Sequence, residues 1–367
     1  MRTNIWRQFD YVLLGATIIL VIFGILMIRS ATMGAIDPDL ISRVPDQIRY
    51  AIIGIILIFA ITAVDYRLLG GMHVWLYAAM IALLLLVVIL GQTGDAGAQR
   101  WIDVGIRIQP SEIGKVLIII TLAHYLARRY EDMDRLGPVL GSMVHVAVPI
   151  ALIFVQPDLG TSIVFIVIWF TLVWAAGLRM KHIMLFGLVG LMALPVIWSQ
   201  MAPYQRDRIT TFLSTDDEGE ETYGTRYNIR QAEITIGSGG FVGKGYANGS
   251  QTQLRFLRVR HTDFIFSVIA EEFGFVGGVS VMVLIGVVIM RILRGARTAI
   301  DPLGSMICYG VAAIIFFQTV VSIGMNLGML PVTGLTLPFV SSGGTSLLSI
   351  LAGIGLAQSV IVRRRRV

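Results

Sequence analysis

Residues 261–290 read HTDFIFSVIAEEFGFVGGVSVMVLIGVVIM. The part from 273 to 290 holds 18 residues without a formal charge. As a helix rising about 1.5 Å per residue it covers about 27 Å, close to the ~30 Å hydrocarbon core of a bilayer. Glu271 and Glu272 then fall near one interface. Asp263 lies roughly two turns farther out, at the aqueous edge or in a cavity open to it. One stretch therefore carries a membrane span and, at its mouth, a carboxylate that chemistry can reach.

The same pattern extends along the chain. Of 367 residues, 56% are hydrophobic and 14% charged, against roughly 25% charged in a soluble domain. Mean hydropathy is +0.78. Long apolar runs fall at roughly 11–30, 49–66, 70–91, 112–128, 138–155, 160–177, 182–200, 263–291, 304–325 and 340–361. Backbone groups in lipid must be satisfied within their own segment, so these runs are expected to be helices. The predicted fold is all-α and integral to the membrane, one polytopic domain over 1–367 with about ten transmembrane helices. A long extracytoplasmic loop, about 201–262, separates helices seven and eight.

Basic residues set the expected orientation. Arg2, Arg7, Arg67, Arg128, Arg129, Arg135, Arg179, Lys181, Arg291, Arg294, Arg297 and the run 363–366 fall on one side. Only Arg29, Arg43, Arg49, Arg100 and Arg107 fall in or near the short loops opposite. Both termini are thus expected in the cytoplasm. The first run lacks a small-residue cleavage site and reads as a signal anchor. A net charge of +6 with a terminal arginine run suits an anchor against anionic membrane lipids and calls for no nucleic acid. The single cysteine, Cys308, excludes an intramolecular disulfide and a cysteine metal cluster.

The 201–262 loop is polar and rich in Arg, Gly, Gln and Asn. Its acidic tract, 216–221, reads as solvated, whereas Tyr227, Ile229, Ala232 and Ile236 are spaced for an amphipathic helix on the membrane surface. The glycine-rich stretch 237–245 lacks the spacing of a phosphate-binding P-loop. No internal repeat supports an inverted-repeat transporter. Histidines and carboxylates show no zinc-ligand spacing, and His73, His124, His145 and His182 read as structural or interfacial.

Ionisable groups beside spans are costly unless paired or wet, which makes them the functional pointers. In helical register Asp263 shares a face with Ser267, Ala270 and Gly274. A carboxylate over small residues suits a ligand cavity, and a helix N-cap is the plainer alternative. Gln99-Arg100-Trp101 precedes Gln109-Pro110-Ser111-Glu112-Ile113-Gly114-Lys115. Glu112 and Lys115, three apart, share a helix face. They read either as a structural ion pair or, with Arg100, as a pyrophosphate clamp. Asp158, in Gln156-Pro157-Asp158-Leu159-Gly160-Thr161, needs a partner such as an arginine of the long loop. Prolines and glycines from Asn326 through Gly344 imply a broken or re-entrant segment, tolerated at membrane depth only when packed in protein or lining a cavity.

Taken in order, these motifs resemble the SEDS family (shape, elongation, division and sporulation). They are Gly97-Ala98-Gln99-Arg100-Trp101, Pro110-Ser111-Glu112-x-x-Lys115, Gln156-Pro157-Asp158-Leu159-Gly160-Thr161, Ile236-Gly237-Ser238-Gly239-Gly240, His261-Thr262-Asp263-Phe264-Ile265-Phe266, and Gly324-Met325-Asn326 through Gly343-Gly344. Tyr227-Asn228-Ile229-x-Gln231 is closer to the elongation branch than to the division branch. Two positions depart from the family pattern. Arg258 stands where members usually carry a proline, and Ser342 where they often carry a tyrosine.

The resemblance implies a peptidoglycan glycosyltransferase that polymerises lipid II on the outer face of the membrane. Transfer is inverting, and undecaprenyl pyrophosphate leaves. Asp263 matches the family's essential aspartate and is the implied base. An aspartate with an ordinary pKa of ~3.9 is a weak base, so the role asks for burial or for a divalent cation, Mg or Mn, at the pyrophosphate. Arg100, Lys115, Arg208 and Lys244, in that order, are the implied phosphate contacts, with Glu112 positioning Lys115 and Asp158 in support. His261, Asn326 and Ser341 complete the implied substrate site. The implied partners are a class B penicillin-binding protein (a transpeptidase) and the elongation machinery. A lipid II flippase, a division-type polymerase and a silent scaffold remain the alternatives. Charge gathered at one face favours the enzyme over a transporter, whose site would lie at the midplane.

Overall fold

The computed structural model describes residues 5–93, 99–103, 107–201, 205–206, 209–210, 212 and 225–364. Its main helices are α1 (Tyr11–Thr32), α2 (Arg43–Ala63), α3 (His73–Leu90), α4 (Pro110–Ala127), α5 (Leu136–Val155), α6 (Leu159–Ala175), α7 (Met180–Gln200), α8 (Thr225–Gly239), α9 (Ile265–Thr298), α10 (Pro302–Asn326) and α11 (Gly344–Ile361). Each expected span coincides with one of them, and α8 is the helix anticipated in the long loop. Among the described residues nine helices are long and apolar enough to cross a membrane, and α6, with 17 residues, is a shorter apolar helix. The chain is a multi-pass membrane protein.

Local chemistry sets the helix starts. Asp10, Asp158 and Asp301 each accept a backbone N–H of the first turn of α1, α6 and α10. Pro110 and Pro302 occupy first-turn positions where no N–H is needed. The buried faces of α4, α6, α9 and α11 meet α10 in the centre of the bundle. α11 lies along α2, where Gly54 receives the Leu351 side chain and Gly355 abuts the Ile58 backbone. Such small-residue contacts let helices approach where water cannot drive association. α7 has no buried residue; Phe186 makes an edge contact with Trp169 of α6.

A small antiparallel sheet was not anticipated from the sequence. Strands β1 (Gln92–Thr93), β2 (Gln99–Asp103) and β3 (Arg107–Ile108) pair in that order between α3 and α4. They place Arg100 over the turn between α5 and α6.

α9 departs from the expected single continuous span. It starts at Ile265 rather than 263 and breaks at Gly274, whose φ of 64° and ψ of −162° only glycine adopts readily. The glycine-rich segment fills the break with its own backbone. Lys244 and Gly245 N–H groups donate to the Glu271 and Glu272 carbonyls (3.0 and 2.9 Å), capping the first half-helix. Phe275 and Val276 N–H groups donate to the Gly240 and Phe241 carbonyls (2.9 and 3.2 Å), capping the second. All four helix-end groups are satisfied without water, as a bilayer requires. A Cβ on Gly239, Gly243 or Gly274 would collide with the backbone opposite.

The far end of the bundle is tied by ion pairs. Arg291 holds Asp10 at 2.6 Å, Arg67 holds Asp301 at 2.8 Å, and Arg363 reaches Asp65 at 3.4 Å. Gln358 exchanges two hydrogen bonds with the Asp10 backbone, closing the last helix onto the first.

Candidate active site

Residues 261–263 form no helix. They are held by three hydrogen bonds, one to each successive carbonyl. The Ser342 N–H donates to the His261 carbonyl at 2.9 Å, the Ser341 hydroxyl to the Thr262 carbonyl at 2.8 Å, and the Asn326 amide to the Asp263 carbonyl at 2.8 Å. Asn326 is fully buried, and its oxygen accepts from the Ser267 N–H and hydroxyl at 3.0 and 2.7 Å. The first turn of α9 and the end of α10 are thereby locked together directly beneath Asp263.

Asp263 itself is half-buried. The N-cap of α9 is Phe264, which makes no side-chain capping bond. Asp263 is therefore not the N-cap, and the helical face shared with Ser267, Ala270 and Gly274 does not reach it. Residues 327–343, expected as a broken or re-entrant segment, carry no regular helix, with Gly328 and Gly334 at positive φ. They pack inside the protein through Leu335, Leu337, Phe339 and Val340.

A second cluster forms at the same end of the bundle. Arg100 donates to the Pro157 carbonyl and lies 4.0 Å from Asp158. Gln109 donates to Asp158 at 3.0 Å, and Asp158 accepts from Thr161 N–H and hydroxyl at 3.1 and 2.9 Å. Among the described residues the arginine beside Asp158 thus comes from β2, because the sheet places Arg100 above the α6 cap. Lys115 pairs with Glu112 at 2.6 Å, and Ser349 of α11 donates to the same carboxylate at 3.1 Å. Lys115 is 1% exposed, so this pair is enclosed between α4 and α11.

Lys244 pairs with Glu271 at 2.8 Å and donates to the Ser238 and Ser250 hydroxyls at 2.8 and 2.9 Å. Glu271 also accepts from the backbone of Gln251 and Thr252. Glu271 and Glu272, expected at the interface, are wholly buried. The loop folds over them, and the Ser30 hydroxyl donates to Glu272. α8 packs on α9, with Ala232 and Thr235 buried.

Burial, reinforced by Arg43 and Arg260, pushes the His261 imidazole down to about 4. It is neutral at physiological pH. Arg208 and the acidic tract 216–221 lie outside the described residues. Among the described residues no three His, Cys, Asp or Glu side chains gather as a metal site.

Comparison with known proteins matches residues 11–366 to the cell cycle protein family FtsW/RodA/SpoVE. The chain belongs to this family. It is 34% identical to the peptidoglycan glycosyltransferase MrdB of Escherichia coli K12, covering 97% of this chain and 95% of that one. A chain of a peptidoglycan synthase complex, solved in work on the structural coordination of polymerization and crosslinking, superposes with a TM-score of 0.80. That alignment is 30% identical and covers 98% of this chain and 99% of the other. The rod shape determining protein RodA of Thermus thermophilus superposes with a TM-score of 0.70 at 30% identity, over 99% of both chains.

Sequence reasoning missed two residues that the fold brings to this end of the bundle. Gln47, buried in α2, bonds the 341–343 turn. Arg260, also buried, donates to the Ala31 and Leu257 carbonyls. A glutamine just ahead of an apolar run was a usable signal for Gln47. Arg260 had none beyond its place next to His261.

Proposed function

We propose that this chain polymerises lipid II as a peptidoglycan glycosyltransferase, with Asp263 as the base. Family membership over nearly the whole chain supports the activity. The observation that carries the assignment of Asp263 is the triple clasp on residues 261–263, which fixes a half-buried carboxylate on a non-helical segment. A base must be held within hydrogen-bond reach of the proton it removes.

In this reading Asp263 takes the proton of the C4 hydroxyl of one sugar as that oxygen attacks the anomeric carbon of the other. The carbon–pyrophosphate bond breaks with inversion, and undecaprenyl pyrophosphate leaves with the bonding pair. Positive charge near the departing phosphates stabilises that step. Arg100, with side-chain exposure of 23% against 1% for Lys115, is the accessible member of those two, oriented by Pro157 and Asp158. The enclosed Lys115 and Glu112 hold α4 to α11 and reach substrate only after the bundle opens. Lys244, His261, Asn326 and Ser341 shape the segments that carry Asp263. Arg208 completes the candidate phosphate contacts. A divalent cation would take Asp263 as its protein ligand and draw its other ligands from phosphate oxygens and water.

Both termini are assigned to the cytoplasm and the Asp263 end of the bundle to the outer face, because arginine and lysine gather at the opposite end. The partner is a class B penicillin-binding protein, within the machinery of elongation, consistent with the likeness to a chain of a synthase complex.

The test is polymerisation of lipid II by the purified chain with its transpeptidase partner, comparing wild type with Asp263→Ala. Glycan ladders from wild type that vanish in the intact mutant complex are the expected result. Ladders that persist in the mutant would remove Asp263 as the base. Movement of lipid II across liposomes, without ladders from either protein, would favour the flippase.

A further inference from the structure

Gln47 lies in α2, remote in sequence from every residue assigned above. Its side chain is 2% exposed and both ends of its amide are engaged. The amide nitrogen donates to the Ser341 carbonyl and the amide oxygen accepts from the Gly343 N–H, each at 3.3 Å. One planar group thus spans the 341–343 turn as a neighbouring strand would. One turn along α2, the Tyr50 ring packs so tightly on Gly344 that no Cβ fits there. Gln47 and Tyr50 together seat the turn against α2.

The same turn supplies two of the three bonds that clasp the segment before α9. The Ser341 hydroxyl accepts from the Leu337 N–H at 2.9 Å and donates to the Thr262 carbonyl. The Ser342 N–H donates to the His261 carbonyl. Gln47 therefore touches both residues flanking Ser342. Removing it takes the Gln47 amide from a buried carbonyl and a part-buried N–H, and such groups seek new partners by moving backbone. The shift would pass through Ser341 and Ser342 to the segment carrying Asp263.

We propose that Gln47 is a positioning residue for the glycosyl-transfer step, acting on Asp263 through Ser341 and Ser342; this rests on the assignment of Asp263 as base. It touches neither substrate nor Asp263, so its removal lowers kcat more than it raises KM for lipid II.

The experiment measures lipid II polymerisation per folded molecule for wild type, Asp263→Ala, Gln47→Met, Ser341→Ala and the Gln47→Met/Ser341→Ala double variant, each full-length with its transpeptidase partner. Gln47→Met is expected to lower kcat about ten-fold, a part of the ~10²–10⁴-fold that a positioned base contributes, with KM changed less than about two-fold. The double variant is expected to fall short of the product of the single effects, because both act along one chain of contacts. Gln47→Glu keeps the acceptor for Gly343 and, once protonated, a donor for Ser341, so its kcat as a fraction of wild type at the same pH is expected to climb as pH falls, the loss of the Asp263 base being common to both proteins.

A wild-type kcat in Gln47→Met, equal changes in kcat and KM, or a fully multiplicative double variant would overturn the proposal. Where Gln47→Met yields no folded protein, the Gln47→Glu profile decides: a climb carries the proposal and a flat profile overturns it. Loss of activity in Asp263→Ala beside a normal Gln47→Met sinks only the role of Gln47. Retained activity in Asp263→Ala sinks the underlying assignment and the proposal with it.

Discussion

The Asn326 amide donates to the backbone carbonyl of Asp263 at 2.8 Å, and its oxygen accepts from the N–H and hydroxyl of Ser267. One buried side chain thus joins the last turn of α10 to both sides of the α9 start. It belongs to the scaffold beneath the candidate base.

Replacing Asn326 by leucine removes the amide bond to the Asp263 carbonyl and the acceptor of the buried Ser267 hydroxyl, while the Ser267 N–H keeps the Phe264 carbonyl at 3.1 Å. A buried orphan costs ~1–3 kcal/mol, so a loss of about 2 kcal/mol in stability is expected. Misplacement of the base by about 1 Å is worth up to ~100-fold in rate. Thermal unfolding in detergent and lipid II turnover per folded molecule check the two effects separately. Wild-type turnover in a folded Asn326→Leu protein would show that the clasp does not position Asp263.

The splice at Gly274 makes a contrasting prediction about glycines. Gly274→Ala or Gly243→Ala introduces a methyl that meets backbone at positive φ. A loss of several kcal/mol, ~3 or more, is expected from such strain and collision. Gly286, in α9 beyond the break, has open space where a Cβ would go, so Gly286→Ala is expected to be neutral or slightly stabilising. Melting temperatures of the three variants, compared in one detergent, test this. Similar values for all three would mean that the break does not need its glycines.

Much of this architecture was legible from the residues alone, and the failures have physical causes. Long apolar runs fix helices because lipid leaves the backbone no other choice, and each of the ten expected spans coincides with a helix. The splice was not legible: periodicity carries 261–290 through Gly274 as one helix, and only the arrival of 239–245 from elsewhere explains why it stops. Arg100 and Asp158 were both singled out, but their partnership depends on a short sheet whose outer strands, Gln92–Thr93 and Arg107–Ile108, are two residues each. Asn326 and Ser341 were marked as site residues for their setting, yet all but one of the bonds described for their side chains, the Ser267 hydroxyl to Asn326, run to backbone. A sequence shows that a polar residue at membrane depth needs a partner, and leaves open which one.

His261 gives a pH prediction with a definite sign. Burial and the nearby Arg43 and Arg260 hold its folded-state value at about 4, below the ~6.5 of an unfolded histidine. Between those values the unfolded chain binds more protons, so stability rises with pH there and is lost as pH falls from about 6.5 through about 4. His261→Gln removes that dependence. Melting temperature against pH should therefore drop more steeply for wild type than for His261→Gln across this window. Parallel curves would mean that the imidazole is not held neutral.

The Lys244–Glu271 pair separates a phosphate contact from a structural buttress. Glu271 is wholly buried and depends on Lys244 for charge, with Gln251, Thr252 and Ser238 completing its hydrogen bonds. Removing one partner of a buried pair leaves an uncompensated charge, at a cost of ~3–5 kcal/mol. Replacing both relieves much of that cost. Lys244→Met is therefore expected to destabilise the fold strongly, and Lys244→Met/Glu271→Gln to recover a substantial part of the loss. If Lys244 served only the pyrophosphate, Lys244→Met would raise KM for lipid II without lowering the melting temperature, and Glu271→Gln would restore nothing. Measuring the melting temperature and KM on the same three proteins distinguishes the roles. The five oxygen and nitrogen partners that close around this pair favour the buttress, with the loop held over the break in α9 and, through that half-helix, beneath Asp263.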